Sequence, residues 1–77
     1  MGKGIHVEAM KPGTIFEHRH WLDNKNMPLL CRVTAVRCGT IYYREWVPQD
    51  ETVKGSKYCF DLSESKKYIG NVIEEAT

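Results

Sequence analysis

PLLCRVTAVRCGTIYYREW, residues 28–46, is the stretch that decides the fold. Two runs rich in β-branched, aromatic and other apolar residues, 29–36 and 40–46, flank a short connection that ends on Gly39. Such runs are typical of β-strands, and a glycine supplies the positive φ that a tight turn requires. The stretch therefore predicts a β-hairpin. Because a two-stranded ribbon is at best marginally stable in water, we expect further strands or a helix to cover one of its faces.

A two-residue turn at Cys38-Gly39 would set the pairing of this hairpin. Directly paired residues share a face, and the pairs predicted on the first face are Val36–Ile41, Thr34–Tyr43 and Arg32–Glu45. The pairs predicted on the second face are Ala35–Tyr42, Val33–Arg44 and Cys31–Trp46. The first face thus has an apolar pair near the turn and a charged pair, which favours water, at its far end. A β-bulge or a strongly curved strand would reconcile the two.

The remaining segments supply partners for the hairpin. Runs of strand-forming residues predict strands over 14–19, 57–60 and 71–74. Segments rich in polar and turn-forming residues predict loops over 23–28 and 47–56. Asp61 and Glu64 have the spacing of a capping box, which predicts a short helix over 62–69.

This element order predicts a mainly β fold. We expect a small five-stranded SH3-like barrel, or a strongly curved antiparallel sheet, with one short helix near the C-terminus. Residues 1–12 are expected to form a flexible N-terminal arm, and residues 13–77 a single small domain whose entrance is marked by the turn pair Pro12-Gly13. The predicted core consists of Leu29, Cys31, Val33, Val36, Ile41 and Trp46.

Composition limits the function classes. The 77 residues include 11 basic and 10 acidic ones, and a net charge of +1 is far from the basic balance that by itself indicates nucleic-acid binding. The sequence has no apolar run near the ~20 residues of a membrane helix and no segment typical of a signal peptide. Three cysteines, an odd number, indicate reduced thiols. We therefore expect a cytoplasmic protein, a monomer or small homo-oligomer that does not bind membranes.

The residues that carry chemistry form no recognisable catalytic or metal motif. His18-x-His20 places two imidazoles on one side of a strand, but no two cysteines have the close spacing of a structural zinc site. A Cys–His catalytic pair would lack an orienting third group, oxyanion donors and a pocket. Cys38 is expected at the exposed hairpin tip, and the other cysteines are expected mostly to pack as small hydrophobic residues. The sequence thus predicts a non-enzymatic protein without a metal or cofactor.

Aromatic and basic residues interleave on the predicted strands. Small barrels bind single-stranded nucleic acids by stacking bases on such aromatic residues while cations follow the backbone. The candidate residues for nucleic-acid or partner binding are Arg19, Trp21, Arg32, Arg37, Tyr43 and Arg44. Tyr43 provides the clearest test of this interpretation, because regular pairing places it on the same face as Arg32 and Glu45, where the core should not need it. Two alternatives stay open: the aromatic residues form the core and the arginines a solvated rim, or the exposed residues bind a protein.

The segments HRHWLDNKNMPLLCRVTAVRCGTIYYR, YCF and KKYIGNVI resemble small proteins encoded by phages and prophages of high-GC Gram-positive bacteria. The resemblance covers most of the chain from Thr14 and carries over no functional residue. It implies a small accessory or regulatory protein that modulates DNA transactions of the host or phage. We therefore expect a binding module that contacts DNA or RNA; the alternatives are an adaptor or inhibitor that binds a host protein, and a small structural oligomer.

Overall fold

The computed structural model describes residues 10–76 of the chain. In chain order they form the strands β1 (Ile15–Leu22), β2 (Pro28–Arg37), β3 (Thr40–Val47) and β4 (Thr52–Asp61), a 3-10 turn (Leu62–Glu64), a one-turn helix α1 (Ser65–Tyr68) and the strand β5 (Ile69–Glu74). Most of the predicted flexible arm, residues 1–9, lies outside the described residues. Met10, which the sequence assigns to the arm, packs in the core, so the packed part of the chain begins before residue 13.

All five strands belong to one antiparallel sheet in the order β4-β3-β2-β1-β5. β4 and β5 are its edges, and the sheet does not close into a barrel. The helix α1 contacts β1, β4 and β5, and so lies across the gap between the two edges. The predicted mainly β fold with a short helix near the C-terminus is confirmed, in the form of the curved open sheet. No helix in residues 10–76 is long and apolar enough to cross a membrane.

The central hairpin turns at Gly39, as predicted. This glycine has a φ of 79°, in the left-handed region that a side chain disfavours. The pairs beside the turn, Val36–Ile41 and Ala35–Tyr42, are those expected from the sequence. Local chemistry thus fixes the register near the turn.

A β-bulge at Thr34 changes the register farther from the turn. Val33 and Ala35 face the consecutive residues Tyr43 and Tyr42, so Thr34 is the extra residue on β2. A shift of one residue moves every later side chain of the strand to the other face, and the apolar residues of the first half of β2 therefore point to the core. The expected pairs beyond this point are wrong by one residue, since the structure has Arg32–Arg44 and Cys31–Glu45.

The inner face of the sheet, which α1 covers, carries the core. Its buried side chains are Met10, Phe16, Cys31, Val33, Ile41, Tyr43, Phe60 and Ile69. Phe16 lies at the centre and meets the rings of Tyr43 and Phe60 edge-on, with centroids 5.5 and 6.3 Å apart. Tyr43 is only 3% exposed, so the expectation that it lies outside the core is wrong.

The predicted core residues divide into three groups. Fully buried are Cys31, Val33 and Ile41. Half-buried against the core are Leu29 and Val36. Trp46 was wrongly assigned to the core: it is half-buried on the outer face, with Arg32 over its ring.

The helix near the C-terminus is present, but its expected capping box does not form. Asp61 is the N-cap of the 3-10 turn and makes no side-chain capping hydrogen bond. Instead, the Ser65 hydroxyl donates to the Leu62 carbonyl oxygen at 2.7 Å. The Leu62 backbone N–H donates to the carbonyl oxygen of Gly39 at 2.8 Å, which ties this segment to the turn of the central hairpin.

Two connections are shorter than the sequence indicates. The turn between β1 and β2 is organised by the Asp23 carboxylate, which accepts hydrogen bonds from the backbone N–H groups of Lys25 and Met27 at 2.8 and 2.9 Å. The connection between β3 and β4 occupies only residues 48–51, and the rest of the predicted loop belongs to β4. Gly55, with a φ of 80°, lies where the register between β3 and β4 shifts.

Candidate functional site

Two arginines face each other on the outer face of the sheet, the face opposite the core. Arg32 of β2 and Arg44 of β3 are direct partners on the two central strands. Like charges placed directly opposite each other destabilise a sheet. Neither arginine takes part in an ion pair within the described part of the chain. The Arg44 Nε donates instead to the carbonyl oxygen of Gly55 at 3.0 Å, which fixes the direction of its guanidinium group.

Aromatic side chains lie beside these cations. The Arg32 guanidinium lies over the Trp46 ring, 4.8 Å from its centroid, and the Lys57 ammonium lies 6.0 Å from the centroid of the Tyr42 ring. Contacts of this kind contribute about 0.5–1 kcal/mol each at exposed positions and hold the charged groups against the rings. The outer cationic–aromatic surface is defined as Arg32, Tyr42, Arg44, Trp46 and Lys57.

A shallow depression opens beside Arg32 and Trp46, with a volume of about 460 Å³. Its other lining residues are Ile15, Pro48, Glu51 and Glu74. Ile15 is the Cα partner of Arg32 and is buried, so it gives the depression an apolar floor. Glu51 comes from the β3–β4 turn and Glu74 from the end of β5. The depression thus combines a stacked cation, an apolar floor and two carboxylates from different elements.

On the outer face the structure places only two of the six predicted site residues next to each other, Arg32 and Arg44. Arg37 is exposed beside the hairpin turn. Arg19 is exposed on β1, where its Nη2 donates to the Ile69 carbonyl oxygen at 3.0 Å. The other two, Trp21 and Tyr43, belong to an aromatic cluster on the inner face.

This aromatic cluster surrounds His18, which is buried. Trp21 stacks on the His18 ring with centroids 4.0 Å apart. His18 Nδ1 accepts hydrogen bonds from the backbone N–H groups of His20 and Trp21 at 3.1 Å each, and Nε2 lies 3.3 Å from the Tyr43 hydroxyl. Because Nδ1 is an acceptor, the neutral ring carries its proton on Nε2 and donates it to the Tyr43 oxygen.

Burial keeps the inner groups neutral. Desolvation, with a smaller contribution from repulsion by His20, lowers the pKa of His18 from 6.5 to about 4. Burial, together with the nearby Glu45 carboxylate, raises the pKa of the Cys31 thiol to about 12. Burial also raises the pKa of the Tyr43 hydroxyl above its usual range. These groups therefore form a packed polar network, and Cys31 has no thiolate with which to react at pH 7.

The other two cysteines are exposed. Cys38 lies at the hairpin tip, as predicted. Cys59 was expected inside, but it is the partner of Tyr42 on β4 and is exposed. In the part of the chain that the structure describes, no three or more His, Cys, Asp or Glu side chains form a group that could hold a metal ion.

Sequence reasoning left Tyr42, Trp46 and Lys57 out of the candidate site. Side chains alternate along a strand, so placing Ile41 in the core already puts residues 42, 44 and 46 on the outer face. That signal could have identified the two aromatic residues. Lys57 begins the predicted strand 57–60, and the same alternation places it on the face opposite the buried Phe60, so this signal could have identified it as well.

Comparisons of the chain with protein-family models, with curated proteins and with solved structures found no match.

Proposed function

We propose that this protein is a non-enzymatic module that binds single-stranded nucleic acid on its outer cationic–aromatic surface. The direct pairing of Arg32 with Arg44 is the observation that carries the proposal. The two guanidinium groups have different neighbours, since Arg44 donates to the Gly55 carbonyl oxygen and Arg32 lies over the Trp46 ring. Each would therefore bind its own phosphate group of a bound strand through charge-assisted hydrogen bonds. An anionic ligand thus turns an unfavourable feature of the free protein into a favourable one.

The aromatic residues of the surface supply the second part of the binding. Trp46 and Tyr42 lie on the same strand as Arg44, within the same surface. Bases of an unpaired strand stack on aromatic rings with about 1–3 kcal/mol per base. A duplex hides the faces of its bases, so stacking on these residues favours single strands over duplexes.

The small net charge does not oppose this proposal. Three basic residues, Arg32, Arg44 and Lys57, lie together on one face of a chain whose net charge is +1. Binding of a polyanion depends on the local distribution of charge as well as on the total. The resemblance to small phage and prophage proteins accords with an accessory role in DNA transactions.

Fluorescence anisotropy with labelled oligonucleotides of about ten nucleotides tests the proposal, because one small binding surface covers a site of roughly that size. We expect micromolar binding to single strands at about 50 mM salt, weaker binding at about 200 mM, and weaker binding to duplexes. Arg44→Gln should weaken binding about tenfold, through the loss of one charge-assisted contact, and reduce the salt slope by about 0.7.

Lys66→Gln is the matched control, because it removes the same charge from an exposed position on α1. This variant should bind like the unmodified protein. Absence of binding at low salt, or equal losses for Arg44→Gln and Lys66→Gln, would refute the proposal.

A protein-binding module is a second candidate, and the open sheet favours it. β4 and β5 are edge strands, to which an extended peptide can add a further strand. Tyr58 on β4 and Ile73 on β5 are exposed hydrophobic residues at these edges. Such binding would depend little on salt and would be unaffected by Arg44→Gln, so the same titrations separate the two functions.

A further inference from the structure

The depression beside Arg32 and Trp46 has the features of a subsite for a single base. We infer that it holds one nucleobase and that it prefers guanine. This inference rests on the proposed function, because the base would belong to a strand that is held by the outer cationic–aromatic surface. It adds to the proposed binding of single strands a preference for one base.

The stacked pair supplies the platform for such a base. The Trp46 ring supports one side of the Arg32 guanidinium, with 4.8 Å between the guanidinium carbon and the ring centroid. Both side chains line the depression. Unpaired bases stack on guanidinium planes as well as on aromatic rings. Ile15 also lines the depression, and as a buried apolar residue it adds a small apolar area to a lining that is otherwise mostly polar.

The two carboxylates decide which edge of a base fits. Glu51 and Glu74 reach the depression from the β3–β4 turn and from β5, and ionised carboxylates accept hydrogen bonds but donate none. Guanine presents two adjacent donors, N1–H and the N2 amino group, which match the two oxygens of one carboxylate. Adenine and cytosine each present one amino group, whereas thymine and uracil present one N–H between two carbonyl oxygens. The donor pattern therefore ranks guanine first and thymine or uracil last.

A cationic side chain of a peptide is a poorer occupant of the same depression. Glu51 and Glu74 would attract it, but the Arg32 guanidinium lines the depression as well and would repel it. A neutral, planar group with hydrogen-bond donors on one edge can stack on the Arg32 guanidinium and donate to the carboxylates without being repelled by any of them. A nucleobase has these properties.

The test uses thymidine oligonucleotides of about ten residues in which only one central base is changed. The central base is guanine, hypoxanthine, adenine, cytosine or thymine, and the affinity of the full chain for each is measured by fluorescence anisotropy. Hypoxanthine keeps N1–H but lacks the N2 amino group of guanine, so it isolates the second donor. We expect the guanine oligonucleotide to bind about five- to tenfold more tightly than the thymine one. This factor is at the low end of the discrimination that a bidentate contact gives, because the depression is open to water. Hypoxanthine should lie between the two.

Glu74→Gln and Glu75→Gln form the matched pair of variants. Both residues are exposed and neighbouring, and both changes remove one negative charge, but only Glu74 lines the depression. Glu74→Gln should reduce the preference for guanine over thymine to less than about twofold, while Glu75→Gln should keep it. Equal affinities for all five oligonucleotides, or equal behaviour of the two variants, would overturn the guanine site and leave the proposed function standing. Failure of every oligonucleotide to bind would overturn both.

Discussion

Removal of one oxygen atom from the core, by Tyr43→Phe, tests the polar network on the inner face. The hydroxyl of Tyr43 is the partner of His18 Nε2 at 3.3 Å. His18 cannot compensate by changing its tautomer, because its Nδ1 already accepts hydrogen bonds from the backbone N–H groups of His20 and Trp21. The substitution therefore leaves a buried N–H group without a partner.

The expected loss of stability follows from this geometry. A buried donor that loses its partner costs about 1–3 kcal/mol. The hydrogen bond is long, and phenylalanine removes a hydroxyl that was itself desolvated, so the lower part of this range applies. We expect Tyr43→Phe to lower the free energy of unfolding by about 1–2 kcal/mol. For a domain of this size, each kcal/mol lowers the melting temperature by about 4–8 °C.

Urea denaturation at pH 7 measures this loss, and Tyr42→Phe is the control. Tyr42 is the neighbouring residue and lies half-buried on the outer face, so deletion of the same atom there should change stability by less than about 0.5 kcal/mol. Tyr43→Phe should also bind oligonucleotides with unchanged affinity. If the two variants unfold at the same urea concentration, the inferred tautomer and the network around His18 are wrong.

Three further predictions concern the pH dependence, the hairpin turn and the outer surface. Folding lowers the pKa of His18 from 6.5 to about 4, so the unfolded chain binds the proton more tightly. The free energy of unfolding should therefore decrease by about 1–2 kcal/mol as the pH drops from 6.5 to 4, after allowance for solvent screening. Urea midpoints across this pH range measure the decrease, which should be smaller in His18→Gln. Gly39→Ala should cost about 1 kcal/mol, since φ is 79° while nothing lies within 4 Å of an added Cβ, and an unchanged urea midpoint would contradict it. A bound oligonucleotide should slow alkylation of Cys59, the partner of Tyr42, but not of Cys38 at the hairpin tip; equal rates with and without the oligonucleotide would place the binding elsewhere.

The sequence predicted the parts of the fold that local chemistry controls. Gly39 marks the hairpin because few other residues adopt its φ, and the pairs beside it follow from the turn. The helix near the C-terminus was also placed correctly, although the Asp61 side chain does not cap it. The Leu62 N–H bonds to Gly39, which is distant in sequence, and no local pattern carries that information.

The length of β4 could not be predicted because its first half looks like a loop. Residues 52–57 are mostly polar, and the strand is at the edge of the sheet, where such side chains remain in water. Pairing with β3, as in Val47–Thr52 and Trp46–Val53, holds this segment extended in spite of its composition. The sequence suggested that Gly55 ends a loop, but in the structure it lies within β4 and allows the register shift there.

The bulge at Thr34 connects the core to the candidate site. In a regular hairpin that buries Ile41, the side chain of Arg32 would point into the core and that of Val33 to water. The extra residue reverses both, so that Val33 is buried and Arg32 moves to the outer face. There its partner is Arg44 instead of the acidic Glu45 that regular pairing would supply. Packing of the core thus explains why two arginines are paired on the outer face, and the affinity of Arg44→Gln for single strands decides whether a ligand binds there.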